Sequence, residues 1–305
     1  MFKNILKSPL INVLLFSIFW AVEIFVAKIA FLEGAQIMQF SIQSFLIALI
    51  ILSIYVIPVK FKQFSKISLR TYKWLIFANA ILLGVGGFLG NAGIQLTSAI
   101  NAAFLTQFST VATTIFAWLI LREKITKAKI LSIIIILLGT FFLVTEGQLI
   151  APHLGDIFII LACLAWSFGP VLIKKMIKTA FVDPDIATLL RPASGIPFLL
   201  LIILFSPFYS PSFQEVFRVN IFEINLPFYV ILNGVFLALT WIFVNRTLKV
   251  ASASYTALLG SLTPILVAIL ALSFLNEKIS IVQFIGILMI ISANFIIHRK
   301  KMDKH

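Results

Sequence analysis

Two ionisable side chains lie where ionisable side chains are costly. Glu23 falls near the middle of an apolar run covering roughly 11–31, three residues after Trp20. Arg191 lies about two turns into another run, 185–206, just before Pro192 and close to Gly195. A carboxylate in such surroundings can exchange a proton, hold an ammonium group, or serve as a neutral or arginine-paired structural acid. A guanidinium can grip a carboxylate or phosphate through two parallel hydrogen bonds. It can equally pair with Glu23, or reach out to an aqueous boundary along its apolar stem.

The uncharged candidates are amphipathic or amide-bearing. Trp20, Trp166, Trp241 and Tyr255 combine a large apolar body with a polar handle, and suit the wall of an apolar passage as well as an interface with lipid. The run 98–121 is unusually polar, with Asn101 and with Thr106, Thr110, Thr113 and Thr114 at three- and four-residue steps, hence on one helical face. Hydroxyls on such a face also serve simple helix packing. Asn79, Asn91, Asn233 and Asn245 sit in the third and eighth runs. They read as helix-to-helix hydrogen bonds or as passage-lining amides. Lys28 and Lys174 fall at the exit ends of their runs and read as snorkelling anchors.

Other chemistries find little here. The three histidines, His153, His298 and His305, stand at run ends or in tails, and no Cys/His cluster suggests a metal. Cys163 is the single cysteine, so no intrachain disulfide can form. The glycines of 84–90 have the wrong spacing for a dinucleotide fingerprint and lie inside an apolar run, although Gly86 and Gly90 allow close helix approach. A convergent set of His, Asp, Glu and Ser at membrane depth is lacking, so we expect no enzyme, no cofactor and no metal.

The elements that position these residues follow from composition. Of 305 residues, 61% are hydrophobic and 11% charged, with a mean hydropathy of +1.11, whereas a soluble domain is nearer half apolar and a quarter charged. Only lipid can be the solvent for such a chain. Apolar runs at roughly 11–31, 36–57, 74–94, 98–121, 128–145, 154–177, 185–206, 227–246, 252–275 and 279–298 predict ten spanning helices, because backbone groups in lipid must be satisfied internally. No cleavable signal is expected at the N-terminus, whose first run is long enough to span. Basic residues are placed asymmetrically. One set of links carries Lys60, Lys62, Lys66, Arg70 and Lys73, then Arg122, Lys124, Lys127 and Lys129, then Lys174, Lys175 and Lys178, then Arg246 and Lys249, whereas the other set has only Arg218 and Lys278. This predicts both termini on the cytoplasmic side. It also explains the net charge of +13 without nucleic acid. Asn245-Arg246-Thr247 then falls on the inner face, where a glycosylation triplet is discounted.

The chain repeats itself. Shifted by 154 residues, Ser98-Ala99 meets Ser252-Ala253, Glu123-Lys124-Ile125 meets Glu277-Lys278-Ile279, Asn79 meets Asn233, and ten of the 29 positions from 98 to 126 are identical. Trp20 and Lys28 are eight apart, as are Trp166 and Lys174. Matched to Trp166, Glu23 has Gly169 as its counterpart, so only one half carries the acid. We therefore divide the chain into 1–146 and 147–305, each with five helices. Five is odd, so the second copy enters from the opposite face, giving an inverted repeat of the kind that places a site near the midplane. The Glu123 and Glu277 links read as short-turn contacts and helix caps.

These features resemble the drug/metabolite transporter superfamily, specifically EamA-type ten-helix permeases. The resemblance rests on Trp20 to Lys28 and Trp166 to Lys174, on the Ser-Ala starts of the fourth helices, and on Thr263-Pro264 through Glu277-Lys278-Ile279-Ser280 with its first-half match Glu123 to Thr126. Two departures stand out. Thr110 takes the place of a common proline, and the arginine fitted by Arg191 has only Gln39 or Gln43 opposite it in the first half. The resemblance implies an all-α integral membrane protein of ten helices around a central cavity. It further implies a secondary carrier of a small organic metabolite by alternating access, often an exporter, in a bacterial inner membrane. One acid and one arginine suit a zwitterion such as an amino acid, with proton coupling through Glu23. A lipid translocator or passive channel is the alternative reading. The expected partners are the metabolite, membrane lipid and protons.

Overall fold

The structure is a computed structural model that describes residues 8–96, 105–148, 154–205, 226–275 and 279–302. Asn101, Ser98-Ala99, Arg218, His153, His305 and Glu277-Lys278 lie outside the described residues.

The described chain is helical, in the order α1 (Pro9–Leu32), α2 (Ile37–Phe64), α3 (Leu69–Asn79), a π-helical turn (Ala80–Val85), α4 (Gly86–Leu96), α5 (Phe108–Leu121), α6 (Lys127–Thr145), α7 (Leu154–Thr179), α8 (Pro184–Leu204), α9 (Pro227–Val250), α10 (Ala253–Gly260), α11 (Thr263–Leu275) and α12 (Ile281–Met302). Among the described residues, seven helical stretches are long and apolar enough to cross a membrane, with shorter apolar helices at Phe108–Leu121 and Ile281–Ile297. The expected count of ten uninterrupted helices needs correction at three runs. The fourth turns at Thr106-Gln107 before α5 starts at Phe108, so Thr106 does not share the helical face of Thr110, Thr113 and Thr114. Two others are also interrupted. The third contains the π turn, and the ninth is broken after Gly260 before restarting at Thr263. Glycines at 84 and 86 weaken the helix at the π turn. The break in the ninth precedes Pro264, which has no N–H to give its helix.

Local sequence sets the helix ends. Ser68, Thr126 and Ser252 cap α3, α6 and α10, accepting from the N–H groups of Thr71 at 3.2 Å, Lys129 at 3.3 Å and Tyr255 at 3.1 Å. At the other end, α5 stops at Arg122, whose φ of 55° is left-handed. The N–H of Glu123 turns back to the Ala117 carbonyl at 3.1 Å. That reversal throws the Glu123 side chain away from its own helix.

The halves interlock instead of lying side by side. The most extensive pairings are α6 with α12, α1 with α9, and α4 with α7, each joining one repeat to the other. Where α6 meets α12 the backbones touch, because a methyl group on Gly139 would stand 2.9 Å from the Gly286 carbonyl. Small residues permit such approach in lipid, where packing replaces the hydrophobic drive. The α1–α9 pair and the α7–α4 pair are equivalents under the repeat.

Candidate functional site

Arg191 is carried by α8 one position before Pro192, and it is only 6% exposed. Its Nη2 donates to Asn245 Oδ1 at 3.4 Å, its Nε finds no partner, and its guanidinium lies 5.6 Å from the centre of the Trp241 ring. Asn245 is fixed in turn by donating Nδ2 to Thr188 Oγ1 at 2.9 Å, and Thr188 donates to the Pro184 carbonyl at 2.8 Å. Trp241 is buried, with Phe45 of α2 5.7 Å from its ring. A buried guanidinium thus faces an amide and an aromatic ring. Among the described residues, no ion pair includes Arg191 or Glu23. The expected alternative of an Arg191–Glu23 pair is therefore not what the fold makes.

Asn79 lies at the start of the π turn and is fully buried, with neither side-chain atom hydrogen bonded. Two turns in contact hold it near the level of Arg191. Leu190 packs against the cluster containing Ala78 and Leu82, and Gly195 rests on Leu83. Buried amides without partners are uncommon in folded proteins, so Asn79 and the Arg191 Nε are each a polar group in the protein interior with hydrogen-bonding capacity to spare.

Glu23 on α1 is half-buried. Asn233 of α9 donates Nδ2 to the Glu23 main-chain oxygen at 2.9 Å. Its counterpart Gly169 serves another purpose, since a methyl there would lie 2.8 Å from the Ala78 carbonyl. The acid in one half and the close helix crossing in the other are thus alternatives at one repeat position.

The two tryptophans do not play equivalent parts. Trp166 lies across the glycine face of α4, where a methyl on Gly86 would come within 2.5 Å of its Cδ1 and one on Gly90 within 2.6 Å of its Cη2. Trp20 stacks on Phe16 at 5.4 Å and is 38% exposed. Thr110 is buried in α5, and Tyr255 is buried in α10 against Leu258, Leu259 and Val13. The fold brings Arg191 and Trp241 together and joins Glu23 with Asn233, but it gathers no single cluster from all the expected residues.

A second polar constellation was read in the sequence only as a short-turn contact and helix cap at the Glu123 link. At the basic end, Glu123 reaches from the α5–α6 link to the start of α10. It accepts from Ala253 N–H at 2.7 Å, Ser254 N–H at 3.3 Å and Ser254 Oγ–H at 2.6 Å, with Lys129 at 3.6 Å. Burial alone would push this carboxyl up, but hydrogen bonds from Ser254 and Ala253 and the nearby Lys129 hold it below its ordinary value. Also between the repeats, Lys60 pairs with Asp183 at 2.7 Å, and Arg246 contacts Asp185 at 3.0 Å while donating to Tyr55 Oη at 2.7 Å. Tyr55 also donates to Asp185 at 3.3 Å. Lys174 donates to the carbonyls of Leu248 and Ala251 at the end of α9. The available signal was the presence of Glu123, Asp183 and Asp185 in links otherwise dominated by basic residues. These bonds tie α2 and the α5–α6 link to α8, α9 and α10, closing one end of the seam between repeats.

Comparison with known proteins agrees with this architecture. The EamA-like transporter family matches residues 7–145 and again 153–299. An "Uncharacterized transporter" of Clostridium kluyveri is 26% identical over 300 residues, covering 95% of this chain and 93% of its own. The "Uncharacterized transporter YyaM" of Bacillus subtilis is 25% identical over 221 residues, covering 69% of this chain and 70% of its own. A solved crystal structure shares the fold with a TM-score of 0.68 at 14% identity, covering 94% of this chain and 95% of its own. Two tandem family matches across an apolar helical chain make the assignment, and the chain is an integral membrane transporter that belongs to the EamA-like transporter family.

Proposed function

We propose that the protein carries a small organic metabolite bearing an anionic group, and that Arg191 holds that group. The observation behind this reading is a buried guanidinium with no carboxylate counter-ion among the described residues and an Nε without a partner there. Burying a cation without a partner is expensive, and a site that receives its counter-ion as cargo accounts for the vacancy in that pairing. Trp241 and Asn79 would contribute an aromatic wall and an amide to the same pocket. Thr110, Tyr255, Asn233, Trp20, Trp166 and Asn101 remain as further candidates for the path.

Movement would proceed by alternating access, with the repeats 1–146 and 147–305 rocking against each other. The inter-repeat bonds at the basic end suit such a cycle. They are few, polar and at the rim, where water can replace them on opening. Glu23 would take and release the coupling proton. The α9 partners of Glu23 and Arg191, Asn233 and Asn245, stand about 18 Å apart along that helix, so a zwitterion such as an amino acid would meet the arginine and the acid in turn and not together. Export from the cytoplasm of a bacterium, with both termini inside, completes the proposal; the orientation rests on the basic links and the direction on the family resemblance.

A thermal-shift screen of the purified protein against amino acids, organic acids and phosphorylated metabolites tests this, because a ligand that binds the folded state raises its apparent stability. Charge-assisted hydrogen bonds contribute about 1.5–3 kcal/mol each, so Arg191→Gln should weaken the best ligand by roughly ten- to a hundredfold, with Arg191→Lys in between. A ligand bound equally well by Arg191→Gln would remove Arg191 from the site.

A further inference from the structure

The seam between α3 and α7 opens at the basic end into a groove of about 290 Å³ lined by Arg70, Thr71, Trp74, Leu172, Lys175 and Met176. We propose that this groove binds an anionic phospholipid, with Arg70 and Lys175 on its phosphate and the helix faces beyond taking an acyl chain. It shares no residue with the surroundings of Arg191, and its success or failure does not depend on what the protein carries.

Three features select a lipid. First, the charge is complementary. Arg70 and Lys175 come from different helices to one groove, both are exposed, and neither has an ion-pair partner among the described residues. Basic pockets between transmembrane helices are the recognised setting for anionic headgroups. Second, the floor is formed by buried Thr71, Leu172 and Met176, giving a cationic rim over an apolar base. Third, the chemistry changes along the groove in the order that a phospholipid changes along its length. On α3, Arg70, Trp74 and Phe77 follow steps of four and three and so share one face. Trp74 and Phe77 are exposed and meet edge to face at 5.9 Å. On α7, Lys175 shares its face with Leu164 and Leu161, both exposed. A soluble anion would use the cations and leave these apolar faces idle. Trp74, whose ring type favours the headgroup level, stands between the two zones with an N–H for an ester or phosphate oxygen.

The test uses the full chain in phosphatidylcholine nanodiscs with graded amounts of brominated phosphatidylglycerol or brominated phosphatidylcholine. The fluorescence of Trp74 is isolated as the difference between the wild type and Trp74→Phe. Half-maximal quenching should need on the order of tenfold less of the anionic lipid than of the zwitterionic one. Arg70→Gln with Lys175→Gln should abolish that preference, while Arg70→Lys with Lys175→Arg should retain it. Equal quenching by both lipids overturns the proposal, as does a preference that survives the paired Gln variant. Displacement of the lipid by millimolar inorganic phosphate would also overturn it, by showing a site for soluble anions.

Discussion

Glu123→Ala should open the basic end of the transporter. The carboxylate ties the α5–α6 link to the first turn of α10, and its side chain is 12% exposed, so its bonds are partly shielded from water. It accepts two short hydrogen bonds, at 2.7 and 2.6 Å, and one longer at 3.3 Å. Hydrogen bonds to charged groups contribute about 1.5–3 kcal/mol each. Ser254 and the two N–H groups regain water on opening, so we take the low end for the short pair and nothing for the long bond. The loss is then about 3 kcal/mol, a shift of roughly 150-fold between closed and open forms. Lys129 at 3.6 Å adds little. Glu123→Gln keeps one carbonyl acceptor and should lose about half as much. Spin labels at Lys124 and Lys249, both exposed and one in each repeat, report the opening as a longer distance in pulsed electron resonance. Glu123 also sets a pH dependence. Its folded-state pKa lies below its ordinary value, so its contribution is full above the ordinary carboxylate pKa and fades as pH falls through the lowered one. The closed distance should therefore hold throughout the neutral range and lengthen only in acid below the usual carboxylate range. An unchanged distance distribution in a folded Glu123→Ala protein would refute the idea that this carboxylate holds the repeats together.

Glycine substitutions separate packing from propensity. Gly286→Ala would bring a methyl to 2.6 Å from the Leu143 main-chain nitrogen; backbone cannot yield there, and a loss of about 3 kcal/mol or more is expected by thermal unfolding in detergent. Gly87→Ala meets nothing within 4 Å and should gain roughly 0.5–1 kcal/mol from helix propensity. Gly86→Ala should cost about 1–3 kcal/mol through Trp166, and much less when combined with Trp166→Ala, since the two share one contact. Glu23→Gln should abolish proton-driven transport in proteoliposomes while insertion stays normal, and undiminished driven flux would exclude Glu23 as the coupling residue.

Much of the architecture could be read along the chain because it depends on local properties. Apolar run lengths near a bilayer's thickness forecast the helices, Ser68, Thr126 and Ser252 stand where they cap them, and the repeat could be seen in paired Trp, Asn and Glu-Lys positions. The π turn was not legible, since a one-residue change of helical register leaves the apolar pattern intact. The break between α10 and α11 was hidden for a similar reason, inside a run that stays apolar throughout.

The site divides along the same line. Sequence alone established that Glu23 and Arg191 are unusual, because an ionisable group in an apolar run is costly wherever the run is folded. Only the tertiary structure decided that Arg191 meets Asn245 and Trp241 instead of Glu23, that Trp166 spans the Gly86–Gly90 face, and that Glu123 crosses to Ala253 and Ser254. Those partners lie from 50 to 131 residues apart. In lipid every apolar helix face is acceptable to the solvent, so hydrophobic pattern does not choose which helix packs on which. That choice is made by small-residue crossings and buried polar bonds, and these exist only once the helices have met.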